Sequence, residues 1–109
     1  MKKVDITIGF QTLGAIRDAL MAAGVQGATV SEMKMVRGRG SKEKLEGSQN
    51  GFVPRVRLEI LVPDAMLERI MSATREAART GLISDVKILV MDVFESVRIR
   101  TGETGEAAI

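Results

Sequence analysis

Twice along this chain the spacing of apolar residues switches from period two to the helical period and back. That double switch restricts the fold more than any other feature of the sequence. Val4, Ile6, Ile8 and Phe10 alternate with Lys3, Asp5 and Thr7, which predicts a half-buried strand over residues 2–10. Leu13, Ile16, Leu20 and Ala23 follow at helical spacing, and Gly24 is placed to stop that helix. Val30 and Met33 among Thr29, Ser31 and Glu32 return to a strand over residues 28–35. In the second cycle Pro54 permits a strand start, and Val56, Leu58, Ile60 and Val62 alternate with Arg55, Arg57, Glu59 and Leu61. Pro63-Asp64 opens a helix with the stripe Leu67, Ile70, Met71, Thr74 and Ala78, ended by Thr80-Gly81, and residues 86–93 are apolar on both faces. The order β-α-β-loop-β-α-β predicts an α+β domain of ferredoxin-like split βαβ (βαββαβ) topology, with both helices on one face of an antiparallel sheet.

Between the two cycles the periodicity collapses. Residues 36–53 hold Gly38, Gly40, Gly47 and Gly51 with Arg37, Arg39, Lys42 and Lys44, and read as a long loop between the second and third strands. A loop of that length inside a small domain is usually functional or disordered. The uncovered sheet face is expected to be polar in a monomer. Leu61, Leu89, Met91 and Val93 fall on the parity opposite to the Ile/Val rows, so that face carries apolar surface and a homo-oligomer is expected.

With 109 residues the chain is one domain, residues 1–109, whose core is built without Trp or Tyr and with only three Phe. Base recognition by aromatic stacking is nearly unavailable, and a net charge of +2 is weak for a nucleic-acid binder, so no nucleic-acid partner is expected. The absence of Cys and His removes disulfides, thiolate chemistry and the commonest general base and metal ligand. No apolar run approaches the ~20 residues of a membrane span, and no secretory signal is visible, so the expected setting is soluble and cytoplasmic. Asp64, Asp85, Asp92 and Glu59 are scattered and each is explained by caps, turns or strand ends, so no catalysis is expected. Glu43 and Glu46 read as solvated loop charges rather than metal ligands.

The basic residues point elsewhere. In Val97-Arg98-Ile99-Arg100-Thr101-Gly102-Glu103, arginine alternates with β-branched residues ahead of a Thr-Gly turn. On a strand, Arg98 and Arg100 project to one face, roughly 6–7 Å apart, and paired guanidiniums suit phosphate oxygens. Residues 97–109 therefore read as a C-terminal strand and tail. Arg37, Arg39 and Lys87 recur at the edges of the same layout, and the Thr80–Lys87 connection offers backbone N–H groups to an anion.

Across nearly its full length the chain resembles the PII-type nitrogen-regulatory signalling proteins. The matching stretches are Met1-Lys2-Lys3-Val4-Asp5, Arg17-Asp18-Ala19-Leu20 with Gly24, and Gly27-Ala28-Thr29-Val30-Ser31-Glu32-Met33-Lys34. They continue through Pro54-Arg55-Val56-Arg57-Leu58-Glu59-Ile60, Val62-Pro63-Asp64, Thr80-Gly81 leading to Asp85 and Lys87, and Arg98 to Glu103 followed by Ala107-Ala108-Ile109. The resemblance implies a homotrimer with adenine nucleotides in clefts between subunits, and a T-loop, here residues 36–53, that docks on a membrane transporter or a cytoplasmic enzyme. It assigns Thr29 and Glu59 to adenine and Leu61 to the same pocket. Lys87, Arg98 and Arg100 fall to the phosphates, and Gly38 and Arg39 to the loop base that reaches them.

The departures carry information too. The family's phosphate turn, Thr-Gly-x-x-Gly-Asp-Gly-Lys, keeps Asp85 here but has Ser84 and Val86 in place of both later glycines. A Cβ at that close approach points to ADP or AMP ahead of ATP. The Gln of the family's Arg-Gln-Lys-Gly element is missing, and Gly9-Phe10 replaces a Lys-Pro whose Lys helps to hold 2-oxoglutarate. No loop tyrosine exists to be uridylylated. The expected function is a divergent PII-like regulator that binds ADP or AMP, with a small anion such as bicarbonate as a second ligand, and acts on transport or carbon handling. The alternatives are a nitrogen regulator sensing ATP and 2-oxoglutarate, and a trimeric protein of the same fold that needs no nucleotide.

Overall fold

The computed structural model describes residues 1–36, 51–80 and 86–109. The expectations placed on Gly38, Arg39 and the rest of 37–50, and on Ser84 and Asp85, lie outside those residues. The described elements are β1 (Lys2–Ile8), α1 (Leu13–Ala22), β2 (Thr29–Val36), β3 (Phe52–Val62), α2 (Leu67–Thr80) and β4 (Lys87–Asp92). Short 3-10 turns, Phe10–Thr12 and Asp64–Met66, lead into the two helices. The sheet is antiparallel throughout, in the order β2-β3-β1-β4, which is the split βαβ arrangement that the period switching predicts.

Alternation explains which face closes. Val4, Ile6 and Ile8 of β1 and Val56, Leu58, Ile60 and Val62 of β3 meet Ile16 and Leu20 of α1 and Ile70 of α2 in one core. Each such aliphatic side chain contributes about 1.5–3 kcal/mol when fully buried. Thr74 lies in the same core, and its hydroxyl is satisfied by donating to the Ile70 carbonyl at 2.8 Å. Gly24 ends α1 at φ +103°, with its own N–H donating to the Met21 carbonyl and that of Val25 to the Leu20 carbonyl, both at 3.1 Å. That is a Schellman closure, sealed by buried Val25. A Cβ at position 24 would meet only ordinary contacts, so Gly24→Ala tests the backbone alone. The expected cost is about 1–2 kcal/mol, read as a lower midpoint in chemical denaturation.

Three boundaries differ from the sequence expectations. β1 stops at Ile8, because Gly9 leads the chain into a turn in which the Thr12 N–H donates to the Gly9 carbonyl at 3.2 Å, and Phe10 is left exposed. β2 and β3 reach into the expected loop, pairing Val36 with Phe52 and Met35 with Val53. Pro54 is thus inside β3 rather than at its start. It is tolerated because β1 pairs with β3 only from Val56 onward.

The largest correction concerns the tail. Residues 97–109 form no strand. A single bridge joins Val97 to Thr104, and the chain between them turns. Gly102, at φ +75°, donates its N–H to the Arg98 carbonyl at 2.8 Å, and the Arg98 N–H donates to the Glu103 carbonyl at 2.9 Å. Arg100 sits in that turn, so Arg98 and Arg100 do not share a strand face.

The face away from the helices is mixed, as expected. In register across it stand Leu89, Asp5, Glu59 and Thr29, and beside them Met91, Lys3 and Leu61. Leu89 and Met91 are 48% and 38% exposed, whereas Asp5 is buried and its Oδ1 has no hydrogen-bond partner among the described residues.

Candidate functional site

The start of β1, the start of β2 and the end of β3 come together at one end of the sheet, and a cleft of about 810 Å³ opens there. Register builds its floor: Thr29 stands opposite Glu59 and Lys3 opposite Leu61. The connection of residues 24–28, turned by Gly24, forms one wall, and Pro63 and Met66 extend the apolar lining. The tail supplies the other wall through Arg98, Glu106 and Ile109.

Charge in the cleft is organised around Glu59. Lys3 Nζ lies 3.7 Å from Glu59 Oε1 and 3.7 Å from Asp5 Oδ1, and Arg57 Nη1 lies 3.7 Å from the same Glu59 oxygen. An ionised carboxylate held between two cations accepts hydrogen bonds and donates none, which suits an exocyclic amine. At the same end of the molecule Asp64 pairs with the Met1 amine at 2.9 Å. That hydrogen bond holds the Asp64 carboxyl below its ordinary range, with Lys2 adding to the effect.

Of the residues singled out in the sequence, Thr29, Glu59, Leu61 and Arg98 converge on this cleft. Val86, Lys87 and Arg100 do not line it. Lys87 opens β4 opposite Thr7, and β1 lies between it and β3, about 10 Å across the sheet at ordinary strand spacing. Val86 is half-buried and turned into a second, smaller cleft with Thr74, Ala78 and Ile88, packed against the core. Lys3, the 24–28 connection, Glu106 and Ile109 were not foreseen as site residues. Lys3 was within reach, since it shares the parity of Glu59 and Leu61. The tail residues carried no comparable signal. Among the described residues no group of three or more Asp or Glu side chains is arranged to hold a metal, and no helix is long and apolar enough to cross a membrane.

Comparison with known proteins agrees with the fold. The family model described as nitrogen regulatory protein P-II matches residues 1–103. The chain is 42% identical to a nitrogen regulatory protein P-II of Bradyrhizobium diazoefficiens over the whole of both chains. It is 43% identical to nitrogen regulatory protein P-II 1 of Methanothermobacter thermautotrophicus, over all of this chain and 97% of that one. The crystal structure of Arabidopsis thaliana PII bound to citrate superposes with a TM-score of 0.78 at 33% identity, covering 98% of this chain and 87% of the other. The protein belongs to the nitrogen regulatory protein P-II family.

Proposed function

We propose that this chain acts as a homotrimeric regulator that binds an adenine nucleotide in clefts between subunits. In this reading it signals through residues 36–53 to a membrane transporter or an enzyme, as a cytoplasmic protein recruited to its target. The observation that carries the reading is the convergence of Thr29, Glu59, Leu61 and Arg98 on one cleft of about 810 Å³, within the range of small-molecule sites. Leu61 supplies an apolar surface for a base, Thr29 and Glu59 hydrogen-bonding groups for its edge, and Arg98 a guanidinium for phosphate.

A trimer is supported by what one chain leaves undone. Leu89 and Met91 are exposed on the open sheet face beside buried Asp5, whose Oδ1 has no hydrogen-bond partner among the described residues. Lys87 and Arg100, the other expected phosphate ligands, do not reach the cleft of their own chain. A neighbouring subunit that brings its Lys87 and Arg100 to this cleft completes the cation set. Ser84 and Val86 stand where the family's phosphate turn has glycines, and the loss of that backbone freedom in the sequence favours ADP or AMP over ATP.

A second reading has its own support. The relatives at about 42% identity carry the name nitrogen regulatory protein P-II, which favours sensing of ATP with 2-oxoglutarate. Calorimetric titration of the purified protein with ADP, AMP, ATP, 2-oxoglutarate and bicarbonate separates the two. ADP or AMP binding without 2-oxoglutarate supports the first. Tight 2-oxoglutarate binding that depends on Mg-ATP establishes the second, and no nucleotide binding at all leaves a nucleotide-independent trimer. Glu59→Ala and Arg98→Ala are each expected to weaken nucleotide binding about 10- to 100-fold, the loss of one hydrogen bond to a charged group.

A further inference from the structure

The tail does more than complete a wall. Gly105, at φ +64°, folds residues 105–109 back over the cleft. Its N–H is held by the Ser96 carbonyl at 2.8 Å and by Glu95 Oε1 at 3.0 Å. Ala108 is buried to 8% exposure, and the Ile109 N–H donates to the Glu106 carbonyl at 3.2 Å, which closes a 3-10 turn over Gly105–Ala108. In that position Arg98 Nη2 donates to the main-chain oxygen of Ile109 at 3.1 Å. Arg98 pairs with no Asp or Glu side chain among the described residues, and the Ile109 main-chain oxygen is the acceptor that its fork meets there. Glu106 lines the same cleft and adds a carboxylate to the wall that carries the guanidinium.

We propose that residues 105–109 are a displaceable cover that occupies Arg98 in the ligand-free protein and competes with a phosphate-bearing ligand for it. The inference rests on the nucleotide reading above for the identity of the ligand, but its geometry stands on Arg98 and the tail. Competition arises in two ways. The Ile109 carbonyl takes a donor that a phosphate oxygen needs, and Glu106 repels an approaching anion. Displacement is feasible because a phosphate can take the guanidinium fork through two parallel N–H···O bonds where Ile109 accepts one, and the cover is a single short turn anchored by Ala108. Because coupling is reciprocal, a ligand on Arg98 frees the tail as much as a freed tail favours the ligand. Nucleotide occupancy would then be reported at the surface by the tail.

The test uses the full chain and two probes, ADP and inorganic pyrophosphate. Glu106→Gln keeps the turn and removes the charge, while Ala108→Asn loosens the buried anchor without adding charge. Each is expected to tighten both probes, Ala108→Asn by about fivefold, the low end of ordinary coupling between sites. In an Arg98→Ala background Ala108→Asn should change neither affinity, while Glu106→Gln still relieves repulsion. Hydrogen exchange of the 105–109 amides gives an independent readout. It should quicken in Arg98→Ala without ligand and in the native chain on adding either probe. Unchanged or weaker binding in both tail variants, or slower tail exchange on ligand binding, overturns the inference while leaving the nucleotide reading intact. Pyrophosphate binding with the expected order but no ADP binding overturns the nucleotide reading alone. If neither probe binds, both fall.

Discussion

Replacing Leu89 and Met91 together by glutamate is expected to convert the proposed trimer into single chains that remain folded. Sedimentation should report the mass of one chain for the variant and of three for the native protein, with an unchanged far-ultraviolet circular dichroism spectrum. Both side chains project from β4 onto the sheet face that no helix covers, and both are largely exposed in the single chain. The substitutions therefore remove no core contact, yet they place charge where an apolar interface is proposed. The carboxylate introduced at position 89 would also stand directly opposite Asp5, so any subunit that closes over this face would bury like charges side by side. Nucleotide affinity should collapse along with the assembly, because Lys87 and Arg100 are not among the residues lining the cleft of their own chain. Variants that stay trimeric would refute the use of this face. Variants that become monomeric but bind nucleotide with native affinity would refute a cleft shared between subunits.

The second large effect is on stability. Ile6→Ala is expected to cost about 2–5 kcal/mol, a major part of the roughly 5–15 kcal/mol that holds a typical domain. Ile6 is fully buried at the centre of β1, between Leu58 on β3 and Ile88 on β4 and beneath both helices. The denaturation midpoint should fall with little change in slope, measured at fixed protein concentration because association adds to apparent stability. Met21→Ala on the exposed side of α1 is the control, with a change within about 0.5 kcal/mol. Equal effects at the two positions would mean that the core is not where the structure puts it.

Much of the architecture was legible because periodicity is a local signal. The alternation in Lys2–Ile8 and Phe52–Val62 reports directly which side chains turn inward, and nearly every inward residue of both strands is buried. The closure of α1 at Gly24 was equally readable, since a left-handed C′ position selects glycine whatever surrounds it. The boundaries were less so. Phe10 continues the alternation of β1 but follows Gly9 into a turn, and Val36 with Phe52 extends a hairpin into a stretch whose composition reads as loop. In those places pairing with a neighbouring strand outweighs composition.

The tail shows where local reading fails. Alternating Arg98, Ile99 and Arg100 match a strand, and a strand would aim both arginines one way. A strand needs a partner along its length, however, and Gly102 and Gly105 with positive φ fold the segment against itself instead. Arg98 is thereby sent to the cleft and Arg100 to a turn.

By itself the sequence determined the order of strands and helices, the face each one buries, the excess of apolar surface on the open face and membership of the family. All of these follow from residue type and spacing within single elements or from whole-chain resemblance. Only the tertiary structure decided that Thr29, Glu59, Leu61 and Arg98 share one cleft with Lys3, that Lys87 stands apart from it, and that the tail covers Arg98. Those facts depend on strand register and on two turns that bring residues far apart in the chain within a few ångströms. Spacing along one element carries no record of what another element places beside it.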